Sequence, residues 1–237
     1  MQGFACSFEG LDRCGKGSQL RFLLEHAKQK GLNICADREP GGTSHGEVER
    51  RSLQDPLWLS RVNQGYEGIA PPLNPDEPLT PEAEIFGYLK ARAQFMQTKV
   101  LPFILNKGIF LLDRAGDSTT AYQGFGLYKG DLDMLKLIIQ CNHLAMRCVP
   151  LKRTYLLDIP VEEMRKRTDG NEFQTGKDRI EQRDDDYFER VRKGYLWLAK
   201  QNSERFMIID GTLPKEKISE IILTDFDFLM RENGFNV

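Results

Sequence analysis

Apolar residues fall along this chain in two rhythms: short unbroken runs, and longer stretches in which they return every three or four positions. Gly3–Phe8, Asn33–Asp37, Ile109–Asp113, Arg153–Ile159 and Phe206–Asp210 are the runs, each of strand length. Leu20, Leu23, Leu24 and Ala27 mark a helix over Lys16–Lys30, closed by Gly31. Ile85, Leu89, Ala93, Met96 and Val100 make one apolar stripe on a long helix from Pro81 to Leu105. Further helices are expected over Glu47–Leu59, Leu132–Arg147 and Asp178–Gln201, and one carries Ile218, Ile222, Phe226 and Leu229. Asp117–Gly124 is polar but helix-capable, and the Gly-, Pro- and Asn-rich stretch from Ser60 to Pro81 reads as a long irregular loop. Strand and helix alternate throughout. The pattern predicts one α/β domain over residues 1–237, with a five-stranded parallel sheet, helices on both faces and ligands gathered at the strand carboxyl ends.

The first strand runs into Gly10-Leu11-Asp12-Arg13-Cys14-Gly15-Lys16, the spacing G-x-x-x-x-G-K, immediately before the first helix. Glycines let such a loop curl its N–H groups toward phosphate oxygens, the helix adds its positive dipole end, and Lys16 adds a full charge. Gly10, Asp12, Arg13, Cys14, Gly15, Lys16, Gly17 and Ser18 are therefore the candidate phosphate-binding set. The hydroxyl that usually follows the lysine and ligates magnesium is displaced here, since Gly17 intervenes before Ser18.

Other candidates stand at strand ends. Arg38-Glu39-Pro40-Gly41-Gly42-Thr43 is a rigid turn after the second strand. Asp113 ends the third strand beside Arg114, where a carboxylate is placed to meet magnesium or its waters and an arginine to neutralise phosphoryl charge. Tyr88 and Arg92, four apart, share a helix face with Glu84, an arrangement suited to stacking a base and holding a phosphate. Arg165, Arg167 and Arg179 flank the polar segment Thr168–Lys177, which reads as a helical lid at about residues 165–180.

Charge and composition narrow the partners. A net charge of −2 and a pI near 6.0 argue against a nucleic-acid surface, and no apolar run reaches membrane-spanning length. Five cysteines without a C-x-x-C pair fit reduced thiols in the cytoplasm. With only three histidines, chemistry by positioning and charge neutralisation fits better than general-base catalysis.

Taken together, Glu9-Gly10-Leu11-Asp12-Arg13, Arg38–Thr43, Arg92-Ala93-Gln94, Asp113-Arg114, Asp117-Ser118, Ala121–Gly124, Asp178-Arg179-Ile180-Glu181 and Arg190-Val191-Arg192 resemble the thymidylate kinase family. The resemblance implies a P-loop kinase fold, ATP and dTMP as substrates, a Mg2+ requirement and a homodimer. It implies that Asp12 faces the sugar hydroxyl, that Tyr88 stacks on thymine, and that Arg92 and Arg114 hold the acceptor phosphate. Thr119, Tyr122 and Gln123 would line the base and sugar pocket, with Arg38 in the same acceptor set. Lys16, Arg13, Arg114, Asp113 and the lid arginines would serve the transfer, and Ser18 and Asp113 the metal. The G-K-G-S order also leaves another monophosphate, dGMP or AMP, as an alternative acceptor. A nucleotide-dependent switch is the more distant alternative, since Asn106-Lys107-Gly108-Ile109 lacks the Asp of a guanine-binding motif.

Overall fold

A computed structural model describes residues 2–65, 73–169 and 178–235. Strands β1 (Phe4–Glu9), β2 (Ile34–Arg38), β3 (Ile109–Asp113), β4 (Leu151–Asp158) and β5 (Phe206–Asp210) form one sheet in the order β2-β3-β1-β4-β5. Every pairing is parallel. Central β1 is buried along its whole length, as a strand covered on both faces must be. Phe4, Cys6 and Phe8 join Ile109 and Leu111 in one core with Leu23 of helix α1 (Lys16–Gln29). Ala5, Phe110 and Leu112 face a second core with Phe95 and Met96.

The long helix forms as expected but with a widened turn. Helix α4 (Pro81–Phe95), capped by Thr80 through its bond from the Ala83 N–H, passes through a π-helical turn at Met96–Val100 into α5 (Leu101–Leu105). Pro102 explains the widening, because it offers no N–H to the preceding turn.

Two expectations are corrected. Helix α2 (Ser44–Gln54) stops at Asp55 before Pro56, and a separate α3 covers Trp58–Gly65, so Ser60–Gly65 is helical and not loop. Pro56 breaks the first helix, and the Asp55 carboxylate, accepting the Leu57 N–H at 2.9 Å, closes a local turn just before the second. The later helix does not begin at Asp178. That carboxylate closes a local turn by accepting the Ile180 and Glu181 N–H groups, both at 2.8 Å, and Asp184 caps the Tyr187 N–H at 2.7 Å. The remaining helices are α6 (Gly116–Thr119), which widens into a π-helical Thr120–Leu127, then α7 (Leu132–Met146), α8 (Val161–Asp169), α9 (Asp185–Gln201) and α10 (Lys215–Glu232). The tip of the expected lid, residues 170–177, and residues 66–72 of the expected loop lie outside the described residues.

Register brings the site together. Phe8 pairs with Asp113, and Arg38 pairs with Asp113 on its other side. The ends of β1, β3 and β2 therefore form one row. At the β1 end, Gly10 sits at φ 133, and a Cβ there would lie 2.4 Å from the Leu157 carbonyl oxygen. Gly10→Ala is expected to cost ~1–3 kcal/mol from strain and crowding, which is a fall in Tm of roughly 2–12 °C for a chain of this size. Thermal unfolding of the purified variant checks it, with an unchanged Tm as the contrary result.

Candidate active site

The β1–α1 loop is built as the spacing requires. Gly10 and Gly15 take positive φ values of 133 and 101, and Arg13 joins them at 60. Lys16 is 7% exposed, and its Nζ donates to the carbonyl oxygens of Gly10 at 3.1 Å and Leu11 at 2.8 Å. Its charge is thus held over the loop's mouth. Gly17 faces Asp113, since a Cβ added there would meet only Asp113 Oδ2, at 4.0 Å.

Arg114 adopts φ 73 directly after β3, which turns its side chain back over the loop. Nη1 donates to the Gly10 carbonyl, Ser118 Oγ and Tyr195 Oη, each at 3.1 Å. Nη2 donates to Asp12 Oδ1 at 2.6 Å and to Tyr122 Oη at 3.1 Å. Burial works against the Asp12 carboxylate, but Arg114, Lys16 and the Tyr122 hydroxyl overcome it and hold Asp12 below its usual range. Beneath Arg114 lies Glu9, wholly buried, accepting from the Ala115 N–H at 2.7 Å, Ser118 Oγ at 2.6 Å and Tyr195 Oη at 2.9 Å.

Arg92 is placed deeper, 2% exposed. It donates to Glu39 Oε2 at 2.7 Å, Thr119 Oγ1 at 2.9 Å, Asn142 Oδ1 at 2.6 Å and the Ala115 carbonyl at 3.1 Å. These bonds use four of the five guanidinium N–H groups. Burial pushes the Glu39 carboxyl up and Arg92 pulls it back.

Two cavities meet here. A narrower, partly enclosed one, with about 450 Å3 of empty space, is lined by Tyr88, Arg92, Thr119, Tyr122 and Gln123, together with Pro40, Gln54, Asp178 and Ile180. An open one of about 1210 Å3 brings seven cationic side chains, from Arg13, Lys16, Arg21, Arg38, Arg50, Arg114 and Arg167, against three carboxylates, from Asp12, Glu39 and Asp113. Asp12, Glu39 and Arg114 line both. An anion in the open cavity meets a strongly positive field, while the narrower cavity offers aromatic faces and a few aimed polar groups.

Of the residues singled out in the sequence, Lys16, Arg13, Asp113, Arg114, Arg38 and Ser18 line the open cavity and Tyr88, Thr119, Tyr122 and Gln123 the narrower one. It separates the lid arginines. Arg167 lines the open cavity and donates to the Arg13 carbonyl at 3.3 Å. Arg165 is bound instead to Asp185 at 2.7 Å and to the Glu181 and Arg183 carbonyls, and it lies over the Phe188 ring, which ties α8 to the start of α9. Arg179 lines neither cavity, and its backbone N–H anchors on the Gln54 carbonyl. Arg92 lines the narrower cavity alone, away from Lys16.

Sequence reasoning missed Arg50, which donates to the Pro40 carbonyl at 3.2 Å and whose pKa is lowered by burial and by the nearby Arg38. It also missed the partners Glu39, Asn142 and Tyr195. Arg50 lies on the face of α2 next to Glu47, a helical spacing from the Arg38–Thr43 turn that gave the only signal. Among the described residues no cluster of three His, Cys, Asp or Glu side chains is set to cage a metal.

Burial, then the charge of Asp117, raises the Glu9 pKa from 4.5 to about 7 against the opposing pull of Arg114 and its hydrogen bonds. The folded chain therefore binds a proton between those values that the unfolded chain has released, so ionising Glu9 removes stability as pH rises from 4.5 to about 7. Relative to Glu9→Gln, the wild type is expected to lose stability between pH 5 and pH 8. Urea unfolding of both proteins across that range checks the sign, and parallel curves would contradict it.

Comparison with known proteins fits this geometry. The Thymidylate kinase family model matches residues 8–62 and 68–222. A thymidylate kinase of Carboxydothermus hydrogenoformans is 35% identical over 237 residues, covering 99% of this chain and 100% of its own. One from Kosmotoga olearia is 32% identical over 228 residues, covering 96% and 97%. The crystal structure of thymidylate kinase from Ehrlichia chaffeensis superposes with a TM-score of 0.66 at 24% identity, over 96% of this chain and 99% of that one, and shares the fold. With the family model and full-length relatives in agreement, the chain belongs to the thymidylate kinase family.

Proposed function

We propose that this phosphotransferase moves the γ-phosphoryl group of ATP onto dTMP, giving dTDP and ADP for dTTP synthesis, at the junction of its two cavities. The observation that carries this is the sharing of Asp12 and Arg114 between a narrow, aromatic-lined cavity and a wider, cationic one. A monophosphate lying across that junction has its base in the narrow cavity and its phosphate among arginines. Lys16 and the loop N–H groups hold the β- and γ-phosphates of ATP. Arg38, Arg50 and Arg114 hold the acceptor phosphate, and Arg13 and Arg167 face the transferring group. An acceptor phosphate oxygen forms the new bond to the γ-phosphorus as the bond to the β–γ bridging oxygen breaks. The acceptor is already an anion at neutral pH, so positioning and neutralisation suffice and no side chain need remove a proton.

The base end follows from hydrogen-bond directions. Gln123 Nε2 donates to Glu84 Oε1 at 2.8 Å, and a carboxylate can only accept, so the amide carbonyl is what Gln123 offers the cavity. Arg92 has one N–H uncommitted. With the Gln123 carbonyl facing ring position N3, the acceptor and the donor beside it match the N3–H and a ring carbonyl of thymine, whereas cytosine turns an unprotonated N3 to that carbonyl. Arg92 therefore serves the base in this reading, with Tyr88 as the stacking ring and Asp12 accepting from the sugar hydroxyl. The acceptor-phosphate role expected for Arg92 passes to Arg38, Arg50 and Arg114.

The residues present fit a magnesium ion held mainly by substrate phosphates and waters, which needs one or two protein oxygens; Asp113 and Ser18 line the same cavity as Lys16. When bound, the ion neutralises phosphate charge during transfer. The homodimer reading is supported by Leu137, Leu144 and Phe86, which are 50%, 74% and 64% exposed on the neighbouring helices α7 and α4, and sedimentation equilibrium tests it. No described helix is long and apolar enough to cross a membrane, and a cytoplasmic location belongs to the same proposal.

ADP production with dTMP, dUMP, dCMP, dGMP and AMP in turn tests the assignment. dTMP is expected to be preferred, dCMP to be a very poor acceptor, and preference for a purine would overturn the reading. Tyr88→Ala should raise the dTMP KM about 5- to 150-fold, from ~1–3 kcal/mol of stacking, with the ATP KM unchanged. Gly17→Thr places a hydroxyl toward Asp113 in open space. It is expected to fold normally and to lower the Mg2+ concentration for half-maximal rate, and a higher requirement would remove Asp113 from the metal's surroundings.

A further inference from the structure

Glu9 touches neither cavity, yet two hydroxyls beneath Arg114 depend on it. Glu9 Oε2, Ser118 Oγ and Tyr195 Oη form a triangle with sides of 2.6, 2.9 and 2.8 Å. Above about pH 7, where the carboxylate is ionised, only the two hydroxyls bring hydrogens to that triangle, and the carboxylate can accept both. Each hydroxyl oxygen then turns its lone pairs outward, where Arg114 Nη1 donates to both at 3.1 Å. The other carboxylate oxygen is fixed by the Ala115 N–H at 2.7 Å. Ala115 adjoins Arg114 in the chain, so the same side chain also holds the backbone that carries the guanidinium.

We propose that Glu9 is a positioning residue of the acceptor site, which orients the Ser118 and Tyr195 hydroxyls so that both accept from Arg114 and hold it where the acceptor phosphate lies. This rests on the reading of Arg114 as an acceptor-phosphate group. The charged neighbours of the carboxylate are Arg114 after β3 and Asp117 on α6, the latter paired with Arg205 at 2.6 Å. None of them supplies a second acceptor at the triangle. A glutamine at this position must turn its carbonyl to the Ala115 N–H and its NH2 to the hydroxyls. Two amide hydrogens join the two hydroxyl hydrogens on three edges. One hydroxyl hydrogen is then forced outward against Arg114, which cannot accept it.

The experiment is steady-state kinetics of the full chain at pH 8, where Glu9 is ionised, with dTMP and ATP varied separately, for Glu9→Gln, Tyr195→Phe, Arg114→Ala and the double variant Glu9→Gln/Arg114→Ala. Glu9→Gln is expected to raise the dTMP KM tenfold or more and to lower kcat, with the ATP KM within twofold. Tyr195→Phe removes one acceptor of Arg114 and keeps the charge; it should raise the dTMP KM about threefold and serves where Glu9→Gln does not fold. In the Arg114→Ala background Glu9→Gln should add less than twofold, as expected for residues that act through one another. Equal losses for both substrates, or full additivity in the double variant, would make Glu9 merely structural and overturn the proposal. If Arg114→Ala raises the dTMP KM and neither Glu9→Gln nor Tyr195→Phe does, the proposal falls alone. If Arg114→Ala leaves the dTMP KM unchanged, the acceptor reading falls and takes the proposal with it.

Discussion

A cation withdrawn from water must be ringed by acceptors, and that constraint shapes this molecule through Arg92 and Arg114. Removing one partner of a buried pair is costly, because the remaining charge is left uncompensated. Arg92, 2% exposed, collects Glu39 from the turn after β2, Thr119 from α6, Asn142 from α7 and a carbonyl from the turn after β3. Four separate segments are thus tied to one side chain on α4. Arg114 does the same one layer nearer the surface, joining the loop after β1 to α6, α9 and the π-helical segment that follows α6.

The two clusters share a backbone hinge, since Ala115 gives its carbonyl to Arg92 and its N–H to Glu9. The narrower cavity and the phosphate-facing cavity are therefore mechanically continuous. Glu39 Oε1 remains without a partner inside this arrangement, on a side chain that lines both cavities. An acceptor left open at that point is consistent with a site whose last hydrogen bonds are made by what it binds.

Electrostatically the molecule is divided. The net charge is −2, but the open cavity concentrates seven cationic side chains. Arg165 and Arg192 are spent differently. Arg165 braces the approach to α9, and Arg192 makes a two-pronged contact with Asp158 at 2.7 and 2.8 Å. Basic residues of similar spacing in the chain thus divide between chemistry and bracing according to which acceptors the fold puts within reach.

That division marks what was legible in the chain. Short apolar runs located all five strands, most clearly central β1 and β3, which are covered on both faces, and less so β2 and β5, which are partly exposed at the sheet's edges. The G-x-x-x-x-G-K spacing located the phosphate loop, since its φ values admit little but glycine at Gly10 and Gly15. Asp113 and Arg114 were readable because strand ends face the ligand side of a parallel sheet. Local chemistry misled at Ser60–Gly65 and at Asp178, where turn-forming carboxylates of Asp55 and Asp178 lie at the boundary between helix and loop. The roles of Arg92, Arg165 and Arg50 were not in the sequence at all. An arginine's task is set by which acceptors surround it, and those of Arg92 come from residues 39, 115, 119 and 142. Only folding brings such distant positions to one guanidinium.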